Sequence, residues 1–194
     1  MSIRKRALSL LLVLVMLLGV LPAGAAAAEV YQDVPSGHWA SDYIARVAEQ
    51  GLMVGTSDTT FAPEETITRA MFVTILARYA KAETDNNAET AFTDVPAGQY
   101  YTGAVAWAAA NGIVNGTSAT TFDPNTTISR QDMAVMLYRY AQQYGIALSE
   151  QTAAPFTDEG SVAASALPAG QAPHRPGVHN GTPARRFRPH ATAT

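Results

Sequence analysis

The chain has 194 residues, with 13 Lys/Arg against 16 Asp/Glu and no cysteine. The absence of cysteine excludes a disulfide framework and any thiolate metal site, so an apolar core has to hold the fold. Charge is divided unevenly: residues 29–159 carry six basic side chains and all sixteen acids, whereas 160–194 carry four arginines and no acid. An acidic body of this kind excludes nucleic-acid binding through a broad basic face, and its few arginines matter individually.

Residues 1–28 read as a secretory signal. Arg4, Lys5 and Arg6 form a positive start, 7–21 is an uncharged apolar run, and Pro22 and Gly24 break it before Ala26-x-Ala28. The run is short for a span of roughly 20 residues, which favours cleavage before Glu29. The expectation is an exported protein with no membrane span after cleavage.

The body is a duplication. Residues 33–81 align with 94–142 without a gap, and 21 of the 49 positions are identical. Asp33-Val34-Pro35 matches Asp94-Val95-Pro96. Gly55-Thr56-Ser57 and Thr59-Thr60-Phe61-x-Pro63 match Gly116-Thr117-Ser118 and Thr120-Thr121-Phe122-x-Pro124. Such units stack to bury a face that neither buries alone.

Each copy predicts helix, loop, helix. Ala40, Tyr43, Ile44, Val47 and Ala48 form the apolar stripe of the first helix, and Ala104, Val105, Ala108 and Ala109 form its equivalent. Gly51 and Gly112 stand where a helix ends in a left-handed residue. A Gly/Ser/Thr/Pro-rich loop follows, with Phe61 and Phe122 as plugs onto the core. Thr68 and Ser129 are N-cap types that open the second helix. Its stripe is Phe72, Ile75, Leu76, Tyr79 and Ala80, then Met133, Met136, Leu137, Tyr140 and Ala141. Asp132, three residues after Ser129, gives the second copy a near capping box; Met71 holds that place in the first copy and is not expected to reach back. Residues 81–91 read as a polar linker or a frayed helix end. From 155 a third copy begins: Phe156-Thr157-Asp158 echoes Phe92-Thr93-Asp94, and Phe187-x-Pro189-x-x-Thr192 echoes Phe122-x-Pro124-x-x-Thr127. Pro168, Pro173 and Pro176 interrupt its first helix, each at a cost of about 3 kcal/mol in a helix interior. Residues 151–194 are therefore expected to be an incomplete, poorly ordered repeat.

These residues resemble the S-layer homology family. The resemblance is carried by Tyr31-x-Asp33-Val34…Trp39-Ala40 and Phe92-x-Asp94-Val95…Tyr100-Tyr101, by Gly51…Gly55…Phe61-x-Pro63 and Gly112…Gly116…Phe122-x-Pro124, and by Ile67-Thr68-Arg69 and Ile128-Ser129-Arg130. It implies modules at 29–86, 87–150 and, in part, 151–194, packed as a pseudo-threefold, all-α bundle. It also implies non-covalent anchoring of exported proteins to a secondary cell-wall polysaccharide of Gram-positive-type bacteria, often pyruvylated. The ligand would lie in grooves between modules, with the helix-start arginine on its acidic group.

Physical chemistry allows those arginines the same role without deciding it. A helix start carries unpaired N–H donors and partial positive charge, and a guanidinium adds a planar fork matched to a carboxylate. Arg69, Arg130, Thr68 and Ser129 are thus the candidate ligand-binding residues, with Trp39 and Tyr100 able to stack on a sugar ring. The competing role for the arginines is an internal pair with an acid such as Asp33 or Asp94; for the two aromatics it is packing under the first helix. Arg78 and Arg139 recur near helix ends, where a cation complements the dipole. No enzyme is expected and no cofactor: the body has one histidine, His38, which cannot assemble a triad or a multi-histidine metal site. The rival reading is a structural envelope protein that self-associates through the face a complete third copy would cover.

Overall fold

The computed structural model describes residues 31–147, 156–163 and 186–193. The leader at 1–28 and the prolines at 168, 173 and 176 lie outside the described residues. Among the described residues the chain is all-α. Four α-helices occur, α1 Ser41–Glu49, α2 Arg69–Tyr79, α3 Thr102–Ala110 and α4 Arg130–Gln143, with one short 3-10 turn, Glu159–Ser161, and no strand. No helix among them is long and apolar enough to cross a membrane. Two compact units divide between Ala62 and Pro63, inside the first repeat.

In the first unit, α1 lays Ala40 and Ile44 against Val34, with Tyr31 and Phe61 closing the cluster. The stripe is narrower than its periodicity predicts. Tyr43 is 68% exposed, because it stands about 100° round the helix from Ile44 and nothing in this small cluster reaches it. Gly51 follows the helix with φ +67°, a conformation that excludes side chains with a Cβ from the same turn without strain. Asp33 then clamps the loop: its carboxylate accepts the N–H groups of Phe61 at 2.9 Å and Ala62 at 2.6 Å, and Ala62 is held at φ +62°.

The second unit repeats this device twice. Asp94 accepts the N–H groups of Phe122 and Asp123 at 2.9 and 2.7 Å. Asp158 accepts those of Phe187 and Arg188 at 2.8 and 2.7 Å. Asp123 and Arg188 both sit at φ +56°. Phe122 and Phe187 are 0% and 1% exposed, and each ring lies 5.6 Å from its own copy's opening aromatic, Phe92 or Phe156. The plug role assigned to Phe122 therefore holds, and it extends to the third copy. At 156–158 and 186–193 this third copy is packed through Asp158 and the Phe156–Phe187 pair; the rest of 151–194, apart from 159–163, lies outside the described residues.

The core of this unit is built on α2, which packs against α3. Burial on α2 is wider than the stripe: Ala70, Phe72, Val73, Leu76 and Ala77 are inside, while Tyr79 is 59% exposed. Ala104, Val105 and Ala108 of α3, then Ile113, Val114, Ile128, Met136, Tyr140 and Ala193, complete the cluster. Residues 81–91 are a fitted strap, neither a loose linker nor a frayed helix. The Asn86 carbonyl takes the N–H of Gly98 at 2.7 Å, and its side-chain oxygen takes that of Gly103 at 3.3 Å.

Three positions that the repeat register makes equivalent meet in a closed ring. The Ile67 N–H donates to the Ala193 carbonyl at 3.1 Å, Ala193 to Ile128 at 3.2 Å, and Ile128 to Ile67 at 3.0 Å. Beside it run two isolated antiparallel bridges, Thr68–Thr127 and Ser129–Thr192.

Candidate functional site

Each second helix starts in a seat made by the loop of the next copy. Thr68 caps α2, its hydroxyl accepting the Met71 N–H at 3.2 Å. The Met71 sulfur in turn accepts the Thr68 N–H at 3.4 Å, so the thioether closes a capping box that the sequence reading denied it. Ser129 caps α4 by accepting the Asp132 N–H at 3.1 Å, and its hydroxyl donates to the Asp132 carboxylate at 2.8 Å.

The helix-start N–H groups are not free for a ligand. Arg69 and Ala70 donate to the carbonyls of Thr126 and Pro124 at 2.9 and 3.0 Å. Arg130 and Gln131 donate to those of Ala191 and Pro189 at 2.9 and 3.1 Å. The pocket that a helix terminus offers an anion is thus filled by backbone oxygens. Both hydroxyls accept a cap N–H; that of Ser129 also donates to Asp132, whereas the Thr68 hydroxyl proton has no acceptor among the described residues.

The two arginines share one anchor and differ beyond it. Arg69 Nε donates to the Phe122 carbonyl at 2.9 Å, with its guanidinium 4.8 Å over that ring. Arg130 Nε donates to the Phe187 carbonyl at 2.9 Å, with its guanidinium 5.6 Å over that ring. Arg69 is 7% exposed; its Nη2 lies 3.4 Å from the Asn115 carbonyl and its Nη1 3.9 Å from Asp132. Burial pulls its pKa down, and Asp132, Asp123 and Asp94 pull it back. Asp33 and Asp94, the acids offered as rival partners, instead hold the loops. The acid that reaches Arg69 is Asp132, which the repeat alignment places at a capping position. Arg130 is half-buried, and its terminal nitrogens have no partner among the described residues. Its pKa falls first through burial and then through the like charge of Arg188, against Asp158.

The two aromatics are not packed under helices. Trp39, in the first unit, is 78% exposed with His38 5.8 Å away. Tyr100 is 56% exposed and stands edge-on to Tyr101 at 5.1 Å. Both keep a ring face toward solvent. Arg78 lies in the last turn of α2, whereas α4 runs on past Arg139 to Gln143, so the dipole role assigned to Arg139 does not apply.

The S-layer homology domain model matches residues 30–71 and 91–134. The S-layer protein sap of Bacillus anthracis is 35% identical over 63% of this chain and 15% of its own. A cellulosome-anchoring protein of Acetivibrio thermocellus is 31% identical over 60% of this chain and 27% of its own. The exoglucanase XynX of the same species is 28% identical over 89% and 16%. This chain thus spans roughly a sixth to a quarter of these relatives. Matched by this family model at both copies, the chain carries two S-layer homology domains.

Proposed function

We propose that this chain is a non-enzymatic anchor that docks on an anionic, pyruvylated secondary polysaccharide at the surface of a Gram-positive-type cell wall. A pseudo-threefold relation of the repeats is supported by the ring that Ile67, Ile128 and Ala193 close within the second unit. The relatives support anchoring, through an S-layer protein and a cellulosome-anchoring protein. One observation carries the ligand side: a helix-start guanidinium, Arg130, is pinned at Nε while its terminal nitrogens are unpaired among the described residues. That is the fork a carboxylate needs. Trp39 and Tyr100 offer exposed faces for a sugar ring. Arg69 belongs to the architecture of its own helix start and not to the ligand site, because its nitrogens already face Phe122, Asn115 and Asp132.

Isothermal titration of the chain against purified wall polysaccharide tests this, before and after mild-acid removal of the ketal. Saturable binding that vanishes with the ketal is expected. Equal binding to both polymers would sink the pyruvyl assignment, and no binding to either would sink anchoring.

Self-association is a second reading, favoured by one surface. Tyr140 stacks on Tyr144 at 4.6 Å with Tyr79 6.0 Å from Tyr140, and Tyr79, Tyr144 and Ile146 are 59%, 45% and 45% exposed. A strict monomer in sedimentation at high concentration counts against it.

A further inference from the structure

One position of the loop decides the charge of each groove. The residue after the plugging phenylalanine is Ala62, Asp123 or Arg188, always left-handed and always held by its copy's aspartate through the backbone. The helix-start arginine bonds the carbonyl just before this residue, and the charge carried there acts on the guanidinium, Asp123 on Arg69 and Arg188 on Arg130. At Arg69 that side chain is Asp123, joined by Asp132. The groove is closed and its cation compensated. At Arg130 the side chain is Arg188, exposed and positive, and the local acid Asp158 is occupied by two backbone N–H groups. A half-buried and an exposed guanidinium, one bonded to the Phe187 carbonyl and one carried by the next residue, therefore act on each other in a body that is otherwise acidic. Burial first and the like charge of Arg188 second hold the Arg130 pKa down, and an oxyanion between the two cations relieves their repulsion.

We infer that Arg188 is a second ligand-gripping cation, and that the acidic group of the polysaccharide binds at the Arg130–Arg188 groove and not at Arg69. This rests on the anchoring reading above. It assigns the packed tail a binding role, since the tail supplies both the carbonyl that aims Arg130 and the second cation.

The test is titration of the full chain with the same polysaccharide fragments, comparing Arg188→Ala, Arg188→Asp and Arg69→Lys with the parent. Arg188→Asp copies the Asp123 of the closed groove. Its side chain is exposed, so helicity by circular dichroism should be unchanged. Loss of one charge-assisted contact predicts roughly tenfold weaker binding for Arg188→Ala, a larger loss for Arg188→Asp, and parent affinity for Arg69→Lys. Parent affinity in Arg188→Asp would overturn the second cation. A loss in Arg69→Lys, with helicity retained, would overturn the choice of groove. If the parent itself binds no polymer, anchoring has failed and this assignment with it. Binding that survives ketal removal yet still depends on Arg188 would keep the groove and make its anion a phosphate of the polymer.

Discussion

One aspartate position, used three times, shapes the loop around the plugging phenylalanine in each copy. Asp33, Asp94 and Asp158 each accept two adjacent backbone N–H groups, which lets Ala62, Asp123 and Arg188 occupy left-handed backbone without glycine. The letters recur visibly in the sequence; that they bond to each other across 28 to 30 residues does not show there. Asp94→Ala should cost about 1–2 kcal/mol in urea unfolding, since two charge-assisted hydrogen bonds are lost at a half-exposed site. The pH dependence follows the same bonds. The Phe61 N–H, with Ala62, holds Asp33 below its ordinary pKa. Burial pushes Asp158 up, but the Arg188 and Phe187 N–H groups outweigh it and leave it lowered. Lowered folded-state values mean that this stability is complete above the ordinary carboxylate pKa and is lost as pH falls through the folded one. Acid titration by circular dichroism should therefore show a flat signal down to about pH 4 and unfolding below it. Asp158→Asn should weaken that acid dependence.

The helices follow local rules at their ends and tertiary rules along their faces. Capping was legible: Thr68→Ala and Ser129→Ala should each lose about 1 kcal/mol, measured by thermal unfolding. The fate of the other helix-start N–H groups was not, because their acceptors come from loops almost sixty residues away. Gly103, inside α3, shows how packing overrides propensity. Alanine would favour an exposed helix by about 1 kcal/mol, yet a Cβ here would lie 2.7–2.8 Å from the backbone of Asp85. Gly103→Ala should therefore destabilise the fold, and a gain in melting temperature would contradict the close approach. The strap at 81–91 looked like a linker because its letters are polar; its Asn86 contacts depend on where α3 lies.

Across the larger unit, the ring through Ile67, Ile128 and Ala193 makes the tail part of the core. Phe187→Ala should cost about 3–5 kcal/mol and speed amide exchange at Arg130 and Gln131, whose acceptors are Ala191 and Pro189. Exchange at Arg69 and Ala70 should change less, since Thr126 and Pro124 hold them. Equal acceleration at both helix starts would show that the unit opens as a whole. The sequence by itself determined the duplication, the all-α class, the caps, the plugs and the two arginines as a matched pair, because periodicity, turn chemistry and repeat register are local properties of the chain. Only the tertiary structure decided that the pair is unequal. Burial, the reach of Asp132 to Arg69 and the placing of Arg188 beside Arg130 arise between copies, where residues identical in register meet different neighbours. The helix-start arginines are one motif by sequence and two environments in space.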